Sequence, residues 1–180
     1  MSRQEIKIPK ERVAVLIGTK GEIKNLLEKK SGVRISVNSD TGDVGLESKD
    51  SVAAFEMKIV VQAIGRGFSP ENAMLLFSEE YGLDILNIQD FVGKSKKTQM
   101  RLKGRVIGAE GKSRKMIERL TECHVSVYGK TIAILGEIEY LSLAKRAIEM
   151  LLEGSPHGNV FKWLEVSVRN LKNKQFEEKL

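Results

Sequence analysis

A ten-residue stretch recurs in this chain at a fixed distance. Val15-Leu16-Ile17-Gly18-Thr19-Lys20-Gly21-Glu22-Ile23-Lys24 is matched 90 residues later by Arg105-Val106-Ile107-Gly108-Ala109-Glu110-Gly111-Lys112-Ser113-Arg114. The same offset pairs Leu26 with Met116, Leu27 with Ile117, Ile35 with Val125 and Val37 with Val127. Two glycines three apart carry little by themselves: 16 glycines in 180 residues produce roughly one or two such pairs by composition alone. A third pair, Gly42 and Gly45, lies between two β-like runs and reads as a hairpin turn. The shared register sets the other two apart. It marks an internal repeat, so the chain folds as two small units of one design, each with its own core.

Periodicity supplies the elements of that design. Gln4 to Ile8 alternates as a strand closed by Pro9, Glu11 to Ile17 and Glu22 to Lys30 read as helices on either side of the glycine turn, and Ser31-Gly32 stops the second. Two strands follow, Val33 to Val37 and Val44 to Glu47. Asp50-Ser51 then caps a helix to about Ile64, with Val52, Phe55, Ile59 and Ala63 as its expected buried stripe. Residues 1–68 form the first unit. Residues 69–82 are expected to be a helical connector, opened by Ser69-Pro70 and reaching Tyr81. Residues 83–153 repeat the design, with a longer first helix from about Ser95 and a closing helix from Ile138 to Glu153. After Gly154-Ser155-Pro156, residues 154–180 form a last helix and tail. Phe161, Leu164, Val168 and Leu171 on that helix are expected to cover the first unit or a partner.

The glycine turns point to an anion. A helix starting just after each turn presents unpaired N–H groups and the positive end of its dipole, and glycine lets a sugar-phosphate chain approach the backbone. The net charge of +6 and a pI near 9.4 agree with an anionic partner. Ten cations fall between Lys94 and Arg119, against Glu110 and Glu118; Lys97, Arg101 and Arg105 share a helical face. The candidate phosphate-binding residues are therefore Gly108, Ala109, Glu110, Gly111 and Lys112, with Arg105, Arg114, Lys115, Lys97 and Arg101 around them. Gly18, Thr19, Lys20, Gly21 and Lys24 are the candidates in the first half. The second turn, with its denser positive charge, is the expected primary clamp. Glu110 sits within it and repels a phosphate unless it points outward or pairs with Lys112 or Arg114.

Other chemistries find little support. Cys123 is the single cysteine and His124 and His157 the only histidines, so neither a disulfide framework nor a metal site is expected, and Cys123 reads as a core thiol. Asp40, Asp43, Glu47 and Asp50 cluster in and after a turn, where they read as turn and cap residues, and no catalytic residue and no cofactor are expected. No run approaches the length of a membrane span, and the first residues lack an apolar signal region. A cytoplasmic protein without membrane contact is the expectation.

Strand, helix, Gly-x-x-Gly, helix, two strands and helix, given twice, resembles the type I KH domain. The resemblance implies an α+β fold of two tandem β-α-α-β-β-α units, each clamping about four unpaired nucleotides with the backbone on the glycine loop and bases against an apolar groove. By that resemblance the groove involves Ile17, Ile23, Leu27 and Ile35 in the first half and Ile107, Ile117, Val125 and Val127 in the second. Most KH domains carry an apolar residue three positions after the second glycine; here Lys24 and Arg114 stand there. This departure, the Arg-Val-Ile-Gly-x-x-Gly-Lys run, the break at Gly154 to Gly158 and the terminal helix resemble the ribosome-assembly KH subgroup, the partner-of-Nob family of archaeal type. That resemblance implies a non-catalytic protein binding single-stranded RNA, namely the 3′ region of small-subunit ribosomal RNA, during assembly and 3′-end processing. The Nob endonuclease and other assembly or translation factors are the implied partners. A general RNA-binding or protein-interaction scaffold, with one KH unit no longer touching RNA, is the alternative.

Overall fold

A computed structural model describes residues 2–178 and divides the chain into two compact units, Met1–Tyr81 and Gly82–Leu180. In the first, β1 (Ser2–Lys7), α1 (Lys10–Ile17), α2 (Glu22–Ser31), β2 (Arg34–Val37), β3 (Asp43–Ser48) and α3 (Ser51–Gly65) succeed one another, followed by α4 (Pro70–Ala73) and a 3₁₀ turn, Met74–Phe77. In the second, the series is β4 (Tyr81–Asn87), α5 (Gln89–Val92), α6 (Lys96–Ile107), α7 (Lys112–Thr121), β5 (His124–Tyr128), β6 (Thr131–Glu137), α8 (Ile138–Leu152) and α9 (His157–Glu178). The sheets have one topology: β3 lies between β1 and β2, and β6 between β4 and β5. Ser2 pairs with Ser48 and Lys7 with Asp43 in antiparallel register, and His124 pairs with Leu135. This is the expected α+β tandem KH architecture.

Local chemistry fixes the ends of these elements. Asp50 accepts from the Val52 amide (2.8 Å) at the head of α3, and Ser69 and Ser95 do the same for α4 and α6. The Asn38 side-chain oxygen accepts from the Asp40 and Thr41 amides in the β2–β3 turn. Gly42 closes that turn, because a Cβ there would collide with the Ile8 carbonyl oxygen. The third Gly-x-x-Gly is thus a hairpin turn.

Three sequence expectations need correction. The buried face of α3 is Ala54, Met57, Val60, Val61, Ala63 and Ile64; of the expected stripe Ala63 is buried and Ile59 half-buried, whereas Val52 and Phe55 are 61% and 56% exposed. Apolar residues surround this helix, and the sheet takes the stripe bearing the small Ala54 and Gly65; a Cβ on Gly65 would press to 2.7 Å from Ile8. The helix expected from Ser69 to Tyr81 is two short turns: Ala73 and Leu76 are buried, the Met74–Phe77 turn packs on α3, and Tyr81 already opens β4. Finally, the apolar side of α9, expected to cover the first unit or a partner, is used within its own unit. Val160, Leu164 and Val168 are buried against α7 and α8.

Candidate nucleic-acid interface

The two glycine turns share one backbone conformation. Gly18 and Gly108 have φ/ψ of 73°/177° and 74°/172°, Lys20 and Glu110 have 53°/26° and 54°/26°, and Gly21 and Gly111 are left-handed at φ 81° and 74°. A side chain at the first glycine is excluded by packing as well as by torsion, since a Cβ on Gly108 would lie 2.7 Å from Ser113 and one on Gly18 2.5 Å from Ile23. Gly111 and Gly21 are the N-caps of α7 and α2, and no side chain caps either helix. The Lys112 and Glu22 amides donate to the Ala109 and Thr19 carbonyls within the turns, so an anion at either helix start is met by the amides that follow them.

The structure sorts the candidate cations. Lys20, Lys97, Arg101, Lys112 and Lys115 are exposed, as are Thr19 and Ala109. Glu110 points outward, its side chain 85% exposed, and pairs with Lys112 at 3.9 Å. Lys24 and Arg114 are half-buried and face Glu28 and Glu118 at 3.7 and 3.8 Å. Those carboxylates also hold the sheet: Glu28 accepts from the Ile35 amide (2.7 Å) and Glu118 from the Val125 amide (2.8 Å) on the edge strands β2 and β5. The charge that departs from the usual KH pattern thus belongs to a bracket tying helix to edge strand, repeated at the 90-residue offset. Sequence reasoning missed the acidic half of this bracket, whose one signal is a glutamate four residues after each cation.

Arg105 is a correction. Rather than a free cation, its half-buried guanidinium donates from Nε to the Leu151 carbonyl (2.9 Å) and from Nη2 to the Ser155 carbonyl (2.5 Å), and His157 Nε2 donates to the Arg105 carbonyl (2.8 Å). The guanidinium thereby ties α6 to the end of α8, sharing the Leu151 carbonyl with the Gly154 amide, and to the Ser155 carbonyl just beyond the helix. Among the expected groove residues, Leu27, Ile35, Ile117 and Val125 are buried in the cores. Ile17, Ile23 and Val127 are half-buried, and Ile107 is 36% exposed on the same face of α6 as the exposed Met100.

Two clefts adjoin the turns. One of about 370 Å³ runs along α1 to Gly18, walled by Lys10, Val13, Ala14 and Ile17, with Ser39 of the β2–β3 turn. The other, about 480 Å³, lies on the flank of the second turn between α6, α7 and α9. Among the described residues, no group of histidine, cysteine and carboxylate side chains is placed to hold a metal, and no helix is long and apolar enough to cross a membrane. Asp43 pairs with Lys7 (3.8 Å) and Asp50 caps α3.

Comparison with known proteins agrees with this geometry. Residues 82–169 match the model of the second PNO1 KH domain, a eukaryotic-type KH domain of type I, and residues 3–54 match the general KH domain. A KH domain-containing protein of Methanocaldococcus jannaschii is 47% identical over 96% of this chain and 77% of its own length. The pre-rRNA-processing protein PNO1 of Candida albicans is 31% identical over 79% of this chain, which spans 49% of that longer protein. The a/eIF2alpha–aDim2p–rRNA complex of Pyrococcus horikoshii contains a chain with TM-score 0.86 and 42% identity, covering 94% of this chain and 95% of that one.

Proposed function

Since this chain belongs to the PNO1/Dim2 family of KH-domain proteins, we propose that it is a non-catalytic ribosome-assembly factor that binds single-stranded RNA, the 3′ region of small-subunit rRNA, in the cytoplasm. The observation that carries the reading is the second glycine turn: an uncapped N-terminus of α7, closed to any side chain at Gly108, with Arg101, Lys112 and Lys115 exposed around it. The α7 amides hold a phosphate, the cations neutralise its neighbours, and the exposed Met100 and Ile107 offer aliphatic surface to bases. Such a protein holds the RNA end for a partner that cuts it, in this reading the Nob endonuclease. The pre-rRNA-processing name of the Candida relative and the rRNA in the Pyrococcus complex support this assignment.

The first turn has the same backbone but fewer exposed cations around it, Lys20 in the turn and Lys10 at the far end of its cleft, because Lys24 is engaged with Glu28. It accordingly serves a flanking RNA segment or a protein partner. The test is binding of labelled single-stranded RNA from the 3′ end of small-subunit rRNA against a scrambled strand of equal length. Wild type is compared with an Ala109→Asp, Glu110→Asp double variant. A preference for the rRNA strand that the variant abolishes is expected. Equal affinity for both strands overturns the rRNA assignment, and an unaffected variant overturns the second turn as the clamp.

A further inference from the structure

The cleft between α6, α7 and α9 has no counterpart required by the glycine turn itself. Residues 100, 103 and 107 lie on one flank of α6, where the groove runs, whereas Arg101 and Arg105 line the cleft on the other, with Gly104 between. The far wall is Met116 on α7 with Phe161 on α9. That wall is braced, since His157 at the start of α9 donates to the Arg105 carbonyl and Arg105 grips Ser155. Gly104 leaves the near wall open, for nothing lies within 4 Å of where its Cβ would be.

Ser113 gives the cleft its chemistry. The residue is 4% exposed and its hydroxyl oxygen has no hydrogen-bond partner, yet it lines the cleft in the first turn of uncapped α7. At the same position of the first repeat stands Ile23. One repeat therefore keeps an aliphatic side chain where the other keeps a buried hydroxyl that no protein atom satisfies, an arrangement that disfavours the protein alone and fits a polar ligand. The first repeat also lacks a covering helix on this side: Leu26, the counterpart of Met116, is 45% exposed.

We propose that this cleft is a nucleotide pocket, taking one base of the RNA strand after the strand crosses the Gly108–Gly111 turn. The base packs between Met116 and Phe161, its edge bonds to Ser113 Oγ, and Arg101 and Lys112 meet the adjoining phosphates. Continuity selects RNA as the occupant: Gly108, Ala109 and Lys112 belong at once to the cleft and to the turn. The pocket extends the tract beyond what the groove holds, and it rests on the reading that the second turn clamps RNA.

The experiment measures affinity of the full chain for single-stranded RNAs lengthened one nucleotide at a time from the shortest that binds. Wild type is expected to show one step of about tenfold or more as the pocket fills. Phe161→Ala and Ser113→Ile, which installs the residue of the sister repeat, are expected to lose that step while binding the shortest RNA as wild type does. Ser113→Ala should reduce the step without lowering the melting temperature, because it removes an unsatisfied buried hydroxyl; a structural serine would show the reverse. A step that survives in all three variants, or no step in wild type, overturns the pocket. The Ala109→Asp, Glu110→Asp variant separates the two readings: if it binds the shortest RNA normally, the clamp itself is wrong.

Discussion

Cys123 shows how a single buried group sets a pH limit on the fold. Its sulfur occupies the space a Cβ on Gly136 would need, and the residue is 2% exposed. Burial, which disfavours the thiolate, pushes the thiol up from 9.0 to about 11, against a smaller lowering by the Thr121 hydrogen bond. The folded state therefore holds the proton more tightly than the unfolded chain. The contribution is complete below pH 9 and is lost as pH rises through 11, amounting to roughly 2–3 kcal/mol. Urea unfolding across that window should show stability of the wild type falling more steeply than that of Cys123→Ala, although the variant starts lower; parallel pH profiles would remove the argument. The core thiol was legible from a lone cysteine beside an alternating strand. The left-handed Glu122 (φ 57°), standing where the first repeat has Gly32 (φ 71°), was not, because nothing in the residue type announces that torsion.

Among the helices, the feature hardest to read was the arginine clamp at the end of each unit's third long helix. In the first unit Arg12 donates from Nε to the Ile64 carbonyl (2.8 Å) and from Nη2 to Phe68 (2.7 Å), as Arg105 does to Leu151 and Ser155 in the second. The acceptors correspond, but the arginines do not share the 90-residue register: Arg12 precedes its glycine turn by six residues and Arg105 by three. A long side chain reaches one pair of carbonyls from either of two successive helical turns, so alignment of the repeats hides the shared role, and Arg105 merges into the basic face of α6. Because the guanidinium closes two carbonyls, Arg105→Ala should cost roughly 2–3 kcal/mol in chemical denaturation, with Arg105→Lys in between. Affinity of the folded fraction for the shortest RNA that binds, and its salt dependence, should stay close to wild type, because that RNA does not reach the flank cleft. A stable Arg105→Ala protein with weakened binding of that shortest RNA would instead return Arg105 to the phosphate contacts.

For the molecule as a whole, the repeat made the two units, the succession of their elements and both turns legible, since 90-residue register survives in the apolar pattern. The flank cleft was not, because α9 has no partner in the first repeat and brings Phe161 and His157 to Ser113 from more than forty residues away. Charge follows the same division. The +6 of the chain is diluted by internal pairing, with Lys24, Arg114 and Arg105 all engaged, and the exposed cations gather around a turn that also carries Glu110. That carboxylate offsets Lys112 where a phosphate is expected to sit, so the wild-type turn is weaker in charge than its surroundings. Glu110 is exposed and already left-handed, and a lysine occupies the same torsion at position 20 of the first repeat, so Glu110→Lys introduces no new strain. It should raise affinity for single-stranded RNA and, if it adds one phosphate contact, steepen the log-log salt slope by roughly 0.7. Titrations of wild type and variant at several salt concentrations read both quantities. An unchanged slope with unchanged affinity would mean that the strand does not pass over the second turn, and that the cations of α6 serve an anion held elsewhere on the unit.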